Sequence, residues 1–217
     1  SINGYIDMML DGDAGEVTPT QRQFLTEAFV SSERMVHLIN DFLNVSRLQT
    51  GKFMLEKRPT DLVEVVKQEI ESLKISASGR DLSFKLKLAK SIPKLLIDEA
   101  KMRQVIMNFA DNALYYSKPG SSIVITLKKE DDAVVFTVKD TGIGVPPEEQ
   151  AHLFTKFYRA TNARKQRPDG TGVGLYLAKR VIVAHGGSVI FNSTEGKGST
   201  FGFRLPIDAL SPANDTK

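Results

Sequence analysis

The chain has 217 residues, of which 41% are hydrophobic and 25% charged, and its formal net charge is +3. This length allows one sizeable core plus a smaller element, or two small domains, and the composition is ordinary for a soluble globular protein. The small net charge, without a long basic run, argues against nucleic acid as a partner, and the absence of cysteine excludes disulfides and thiolate zinc sites.

The N-terminus lacks the basic and apolar regions of a signal peptide, and no apolar run reaches the length of a membrane span. A cytoplasmic location is therefore expected, with membrane attachment only through other parts of a longer parent protein. The start of the chain without Met, in the middle of a helical pattern, indicates such a parent.

Two helices are predicted at the start of the chain. Residues 1–10 form the end of one helix, and Thr18 with Pro19 is suited to begin a second, long helix. A heptad seam in the second helix consists of Phe24, Ala28, Ser31, Met35, Leu38, Phe42 and Val45. A second apolar row beside it consists of Leu25, Phe29, Val36, Ile39 and Leu43. Two adjacent rows predict a helical hairpin that dimerises into a four-helix bundle.

The domain boundary is predicted near residue 58. Gly51 is suited to end the long helix, and His37 within it is interpreted as a packing or surface residue. Residues 58–61 are interpreted as a linker that starts a new helix. The predicted domains are therefore residues 1–57 and 58–217.

The second domain interleaves helices with a largely antiparallel run of strands. Helices are predicted from residue 62, at 99–116 after the N-cap Asp98, from residue 147, and at 175–185. Strands are predicted at 82–88, 95–97, 123–127, 134–138, 189–191 and 201–205. Residues 155–173 are predicted to be a mobile loop, and the tail after Pro206 is predicted to be disordered. The expected fold class is α+β, with a two-layer α/β sandwich in the second domain.

Four polar or glycine-rich segments recur between these apolar elements, and their order and spacing carry the functional signal. They are NFADNA at residues 108–113, DTGIG at 140–144, LFTKFYR at 153–159 and GTGVGL at 170–175.

Each segment has a chemical interpretation beside a structural one. A buried Asp140 facing a pocket can select the exocyclic amine of adenine, but the stretch is also compatible with an ordinary Asp-Gly turn. Asn108 and Asn112 lie one turn apart on a helix and offer amide oxygens of the kind Mg²⁺ accepts, or are simply exposed asparagines. Residues 170–174 lead into a helix whose N-terminus can bind an anion.

The third segment opens a basic loop. Cations on a flexible lid can close over a triphosphate, although a solvated basic loop is almost equally compatible; the candidates are Arg159, Arg164, Lys165 and Arg167. Phe154 and Phe157 are interpreted chiefly as hydrophobic anchors of this lid. Residues 196–200 resemble the end of a P-loop but lack its first glycine, and residues 170–174 lack the preceding strand of a dinucleotide-binding motif.

Together the four segments resemble the N, G1, F and G2 boxes of the sensor histidine kinase catalytic domain, which has the Bergerat ATP-binding fold. The resemblance covers residues 60–206, and a weaker one to the dimerisation and histidine-phosphotransfer domain covers the preceding helices. It implies ATP and Mg²⁺ as cofactors. It places the phosphoacceptor histidine and its acidic neighbour before Ser1, so this chain is predicted not to phosphorylate itself.

The resemblance also implies roles for individual residues. Asn112 coordinates Mg²⁺ with Asn108 close to the metal or its waters, Asp140 recognises adenine, and Tyr116 packs on the base. Asn108 and Arg159 are the catalytic candidates. The implied ATP-binding residues are Asn108, Asn112, Tyr116, Asp140, Gly142, Gly144, Phe157, Arg159, Gly170, Thr171, Gly172, Val173, Gly174, Leu175 and Thr200. Tyr115 departs from the family, which often has a basic residue there near the phosphates, so another cation would have to supply that contact.

The expected function is that of the catalytic portion of a two-component sensor histidine kinase. Such an enzyme transfers the γ-phosphoryl of Mg-ATP to a histidine in its own homodimer, and then to an aspartate on a response regulator receiver domain. One alternative is a non-catalytic, nucleotide-gated dimerisation module. Another is an anti-sigma-type serine kinase on the same fold, against which the long heptad helix argues.

Overall fold

The computed structural model describes residues 1–49, 53–168 and 170–212, apart from the side chains of residues 33, 34, 37, 38, 40–42, 44, 45 and 47–49. It forms two compact units, Ser1–Phe53 and Met54–Lys217. Gly51 and the side chain of His37 lie outside the described part, so the interpretations given to them stay predictions.

The first unit consists of two helices whose ends carry local stop and start signals. Helix α1 (Ile2–Asp11) ends at Gly12, which takes the left-handed conformation with φ of 91°. Helix α2 (Pro19–Gln49) begins with a reciprocal cap. The Gln21 N–H donates to Thr18 Oγ1 at 3.2 Å, and the Thr18 N–H donates to Gln21 Oε1 at 2.8 Å. The predicted helix end and start are confirmed.

Large apolar side chains project from α2 into solvent. Phe24 is 62% exposed and Met35 is 58% exposed, and Val36, Ile39 and Leu43 are also exposed. These residues come from both of the apolar rows seen in the sequence. An apolar stripe of this size is normally covered by another surface, and dimerisation through α2 stays a prediction.

The second unit is built from the remaining elements. In chain order they are β1 (Arg58–Thr60), α3 (Leu62–Ser78), β2 (Ser83–Leu88), β3 (Leu95–Ile97), α4 (Glu99–Tyr116), β4 (Ser122–Glu130), β5 (Ala133–Lys139), a 3₁₀ helix (Pro147–His152), α5 (Thr161–Gln166), α6 (Gly174–Ala184), β6 (Ser188–Thr194), β7 (Gly198–Pro206) and α7 (Ile207–Leu210).

Five strands form the main sheet in the order β2-β4-β5-β7-β6. Only β2 and β4 are parallel; the other neighbours are antiparallel. Helix α4 packs between α3 and α6, with α3 against β2, α4 against β5 and β7, and α6 against β6. The predicted two-layer α/β sandwich is confirmed.

Alternating apolar residues place the core between these two layers. Ile123, Ile125 and Leu127 of β4 are fully buried, as their period of two predicts. The rings of Phe136 and Phe203 stack across β5 and β7 with centroids 5.0 Å apart. This core holds α4 rigidly on the sheet, which matters because α4 carries the asparagine pair.

Two predictions about irregular segments are wrong, because each segment is stabilised by a remote partner. Residues 58–60 are not a linker but strand β1, which pairs antiparallel with β3. The loop at 155–173 contains helix α5. The N–H and hydroxyl of Thr161 both donate to the Glu149 carboxylate, and these bonds hold the start of α5 to the 3₁₀ helix.

The predicted disorder after Pro206 is also wrong for the described part of the tail. Helix α7 follows β7 directly, and its residues Ile207 and Leu210 are buried. Conversely, the alternation predicted for β2 only partly reflects burial, since Leu86 is 40% exposed. Within the described ranges, no helix combines the length and apolar character needed to cross a membrane.

His185 joins the end of α6 to the start of α4. It is only 1% exposed. Its Nε2 accepts a hydrogen bond from the Asp98 N–H at 3.0 Å, and Nδ1 lies 2.8 Å from the Val181 carbonyl oxygen. These contacts require the neutral tautomer with the proton on Nδ1. Burial lowers the pKa of His185 below its ordinary value.

We therefore expect the stability of the second unit to fall in mild acid. Because the folded-state pKa is lowered, the unfolded chain takes up the proton first, so His185 supports stability fully above about pH 6.5 and progressively less below it. Part of this stability should be lost between about pH 6.5 and 5.5. Urea unfolding at pH 7.5 and 5.5 measures it. His185→Gln should reduce the pH dependence, whereas His152→Gln, at an exposed histidine, should preserve it; equal behaviour of the two variants would contradict the assignment.

Candidate nucleotide-binding site

Asp140 directly follows β5 and is almost completely buried, with 5% exposure. Its Oδ1 accepts two backbone hydrogen bonds, from the Gly142 N–H at 2.8 Å and the Ser199 N–H at 3.1 Å. Among the described residues, every hydrogen bond that another residue donates to this carboxylate ends on Oδ1. The second oxygen, Oδ2, is therefore available to accept a hydrogen bond from a ligand.

The electrostatics of Asp140 are those of a carboxylate removed from water. Burial raises the pKa of Asp140 above its ordinary value, and backbone hydrogen bonds from Gly142, Ser199 and its own N–H partly reverse that shift. A buried carboxylate of this kind gains from any ligand donor that reaches it, because the donor replaces solvation lost on folding.

The loop after Asp140 passes against its neighbours too closely to admit side chains. A Cβ on Gly142 would lie 2.2 Å from the carbonyl oxygen of Tyr116, at the end of α4. A Cβ on Gly144 would lie 2.1 Å from the carbonyl oxygen of Thr194 in β6. The glycines therefore let this loop join the end of the helix layer to the edge of the sheet.

Several supporting residues of this loop were missed by sequence reasoning. Ser193 Oγ accepts from the Val145 N–H at 2.9 Å, and Gln150 Nε2 donates to the carbonyl oxygens of Val145 and Ser193. Ser199 lies in the stretch that resembled a P-loop end, yet its N–H binds Asp140. Only the pairing of β5 with β7, in which Lys139 faces Thr200, could have revealed this role.

The two asparagines of α4 lie on one face and differ in their contacts. Asn108 Nδ2 donates to the Gly174 carbonyl oxygen at 3.3 Å, and a Cβ on Gly174 would lie 2.8 Å from Asn108 Oδ1. The first asparagine thus lies against the N-terminus of α6. Asn112, one turn further along, makes no hydrogen bond through its amide to any described residue, and it is only partly exposed.

Arg159 is fully engaged by the backbone of the lid, residues 155–173. Its guanidinium donates to the carbonyl oxygens of Pro168 and Gly170, both at 3.0 Å, and also to those of Ala163 and Arg167. Arg159 therefore holds together the segment between α5 and the glycine-rich loop. Its proposed contact with phosphate charge stays a prediction.

Phe154, which directly precedes the lid, and Phe157 within the lid behave differently. Phe154 contacts the rings of Phe191 and Phe201, at centroid distances of 5.9 and 6.4 Å, so its role as a hydrophobic anchor is confirmed. Phe157 is 56% exposed and has a positive φ of 63°. The same role for Phe157 is wrong in this conformation, because its backbone turn directs the ring to solvent.

The remaining predicted residues lie at the N-terminus of α6, on β7 and on α5. Thr171 Oγ1 accepts from the Val173 N–H at 3.2 Å, Leu175 lies in the first turn of α6, and Thr200 pairs with Lys139 beside Asp140. Gly172 has a φ of 70°, and a Cβ there would lie 2.7 Å from the backbone of Phe157. Arg164 and Lys165 lie in the last turn of α5.

The structure thus contains the buried carboxylate of Asp140, two asparagine side chains on one face of α4, and a glycine-rich loop at the N-terminus of α6. A glycine loop at a helix N-terminus is suited to an anion, and a buried acceptor without a second partner is suited to a donor group of a ligand. Residues 97–209 match the family described as "Histidine kinase-, DNA gyrase B-, and HSP90-like ATPase", and residues 1–51 match HisKA, the "His Kinase A (phospho-acceptor) domain". The chain belongs to this ATPase family, and its first 51 residues match the phospho-acceptor domain.

Individual relatives agree with this assignment. The chain is 34% identical over 209 residues to the circadian input-output histidine kinase CikA of Synechococcus elongatus, covering 95% of this chain and 28% of CikA. It is 31% identical over 216 residues to the signal transduction histidine-protein kinase BarA of Escherichia coli, covering 97% of this chain and 23% of BarA. The chain therefore spans about a quarter of these relatives' length.

A solved structure extends the similarity to three dimensions. Full-length ShkA in complex with AMPPNP superposes with a TM-score of 0.79 and 29% sequence identity, covering 98% of this chain and 43% of ShkA. The recognition of the family from the four sequence segments is confirmed.

Proposed function

We propose that this chain is the ATP-binding catalytic portion of a two-component sensor histidine kinase. It would transfer the γ-phosphoryl group of Mg-ATP to a histidine of a HisKA helix, for relay to an aspartate on a response regulator receiver domain. The observation that carries the proposal is the buried Asp140 carboxylate, with Oδ1 bound by two backbone N–H groups and Oδ2 open. The nucleotide-bound ShkA neighbour adds support.

Adenine would bind beside Asp140, at the C-terminal end of α4. Oδ2 of Asp140 accepts a hydrogen bond from the exocyclic amine. Tyr116 packs on the base, next to the point where Gly142 contacts the Tyr116 backbone. The triphosphate extends toward Asn108 and the N-terminus of α6, where backbone N–H groups and the helix dipole favour anions. The bound nucleotide would thus lie along the face of α4.

Asn108 and Asn112 would hold Mg²⁺. The donor set fits this ion, since Mg²⁺ takes few protein oxygens together with waters and phosphate oxygens. The amide of Asn112 has no competing partner among the described residues. When bound, the ion neutralises charge on the transferred phosphoryl group. Cations of the lid, Arg159 among the candidates, would add to that stabilisation.

The helical unit would bring the acceptor histidine and the catalytic unit together in a homodimer. The exposed apolar rows of α2, with Phe24 and Met35, support this role because they need a covering surface. In the transfer, the bond from the γ-phosphorus to ADP breaks and a bond to an imidazole nitrogen forms. The acceptor would be none of His37, His152 and His185.

We expect this chain, supplied with labelled ATP and Mg²⁺, to phosphorylate a separate polypeptide that contains an intact histidine-bearing HisKA helix. The product should be acid-labile, as phosphohistidine is. Asn112→Ala should lower the transfer rate by about 100-fold, because a protein ligand of the ion is lost. Asn192→Ala, at an exposed asparagine of β6, serves as the matched control and should retain the wild-type rate.

The outcomes separate the proposal from its alternatives. Tight ATP binding without any transfer would favour a nucleotide-gated dimerisation module. An acid-stable product would indicate a serine kinase. Stable phosphohistidine on His37, His152 or His185 would contradict the assignment of the acceptor to a separate helix.

A further inference from the structure

Tyr115, at the end of α4, is held between residues of two other segments. The guanidinium carbon of Arg80, from the turn between α3 and β2, lies 4.6 Å from the centre of the Tyr115 ring. The guanidinium carbon of Arg167, at the end of α5, lies 4.4 Å from the same centre. Both distances are within the range of cation–π attraction. The ring therefore links the lid to the turn that follows α3.

The lid follows α4 from this ring back toward Asn108. Gln166 Nε2 donates to the Tyr115 carbonyl oxygen at 3.3 Å, and Arg167 forms an ion pair with Asp111 at 3.3 Å. Seven residues later, Gly174 packs against Asn108. Positions 108, 111, 112 and 115 share one helix face because they are three or four residues apart. Arg167 therefore lies on the face that presents Asn112.

Arg167 is held in place by contacts to its backbone and by contacts to its side chain. Arg159 donates to the carbonyl oxygen of Arg167 and to those of Pro168 and Gly170, which shapes the backbone there. Tyr115 and Asp111 hold the side chain, which keeps 29% exposure. The Asp111 side chain is 50% exposed, so this ion pair is weak and open to competition from another anion.

We propose that Tyr115 is a positioning residue that, with Arg80, holds the Arg167 guanidinium on the phosphate side of the nucleotide site. The ligand class is a nucleoside triphosphate, whose phosphate oxygens replace or share the contact of Arg167 with Asp111. An aromatic ring can hold this cation only while the lid lies on α4, so Tyr115 couples recognition of phosphate charge to closure of the lid. This inference rests on the proposed function, because it requires a nucleotide along α4.

The test compares two ligands that differ in phosphate charge. Calorimetric titrations with ATP and with adenosine, both in Mg²⁺, are made on wild type, Tyr115→Phe and Tyr115→Leu. We expect Tyr115→Leu to weaken ATP binding about tenfold and adenosine binding by less than about twofold. Tyr115→Phe keeps the ring and should remain within about twofold of wild type for both ligands. Arg167→Gln should reproduce the selective loss for ATP.

Equal losses for ATP and adenosine in Tyr115→Leu, or a Phe variant as weak as the Leu variant, would overturn the proposal. So would an Arg167→Gln variant with the wild-type ratio of ATP to adenosine affinity. Urea midpoints of the variants identify any loss that comes from unfolding, and Arg167→Gln provides the test if Tyr115→Leu does not fold. A wild-type chain that binds neither ligand would refute the proposed function itself, which is a separable result.

Discussion

Asp140→Asn is expected to abolish ATP binding while leaving the fold intact. The amide oxygen of asparagine can keep the hydrogen bonds that Oδ1 accepts from Gly142 and Ser199. The open Oδ2 position becomes an NH₂ group, which cannot accept a hydrogen bond from the adenine amine. Since a site built for a hydrogen bond discriminates strongly against a mismatched partner, affinity should fall by at least about 100-fold in a calorimetric titration.

The same variant should lose ATP affinity without losing folding stability. Burial raises the pKa of Asp140, so the ionised carboxylate is disfavoured in the folded state at neutral pH. The neutral asparagine avoids that cost, and the unfolding midpoint should not decrease. Asp132→Asn, at an exposed carboxylate paired with Arg204, is the matched control and should bind ATP as wild type does. Retained binding in Asp140→Asn, or a large loss of stability, would contradict the assigned geometry.

Gly142→Ala is expected to destabilise the second unit by about 3 kcal/mol and to remove nucleotide binding with it. The new Cβ would lie 2.2 Å from the Tyr116 carbonyl oxygen and 2.7 Å from its carbonyl carbon. Both are backbone atoms at the end of α4, which is packed between α3 and α6, so neither can move without disturbing the helix layer. Thermal unfolding should show a decrease in Tm of about 6 to 12 °C.

Gly196→Ala is the informative control for this prediction. Gly196 has a φ of 74° but no atom within 4 Å of an added Cβ, whereas Gly142 has the crowding without a positive φ. The cost of Gly196→Ala should therefore be backbone strain alone, about 1 kcal/mol. Equal destabilisation of the two variants would show that crowding against Tyr116 is not what requires glycine at position 142.

The two expected effects share a structural origin. Asp140 and Gly142 lie in the loop that follows β5. This loop packs against the end of α4 at Tyr116, and the N–H of Ser199 in β7 donates to Asp140. The proposed adenine end of the site thus depends on the packing between the two layers. The proposed phosphate end depends instead on the lid, through Arg167 and Tyr115. Substitutions at the adenine end should therefore affect stability more, and substitutions at the phosphate end should affect the recognition of phosphate charge more.

Much of this protein follows from local sequence. Thr18 with Pro19 predicts the start of α2, and Asp98 predicts the start of α4, because capping needs only residues within one turn. Alternation in 123–127 predicts a strand because side chains of a strand point to opposite faces. The four glycine-rich or polar segments, in their order, were sufficient to recognise the family. These features depend on neighbours a few residues apart.

Contacts between distant segments could not be predicted in this way. Strand β1 forms only by pairing with β3, in which Leu96, the partner of Pro59, lies 37 residues further along the chain. Helix α5 requires Glu149, and the short tail helix requires a core that accepts Ile207 and Leu210. Phe157 also differs from the prediction because the lid backbone, and not its apolar character, determines where its ring points.

By itself, the sequence determined the long helices with the caps of α2 and α4, the alternating strands and the sandwich class, since these depend on periodicity and short-range chemistry. Only the tertiary structure decided which groups meet. Asp140 binds Ser199 because β5 pairs with β7, and Arg167 meets Tyr115 because the lid follows α4. The sheet order and the course of the lid result from burying one shared core, a constraint that acts on the whole chain at once.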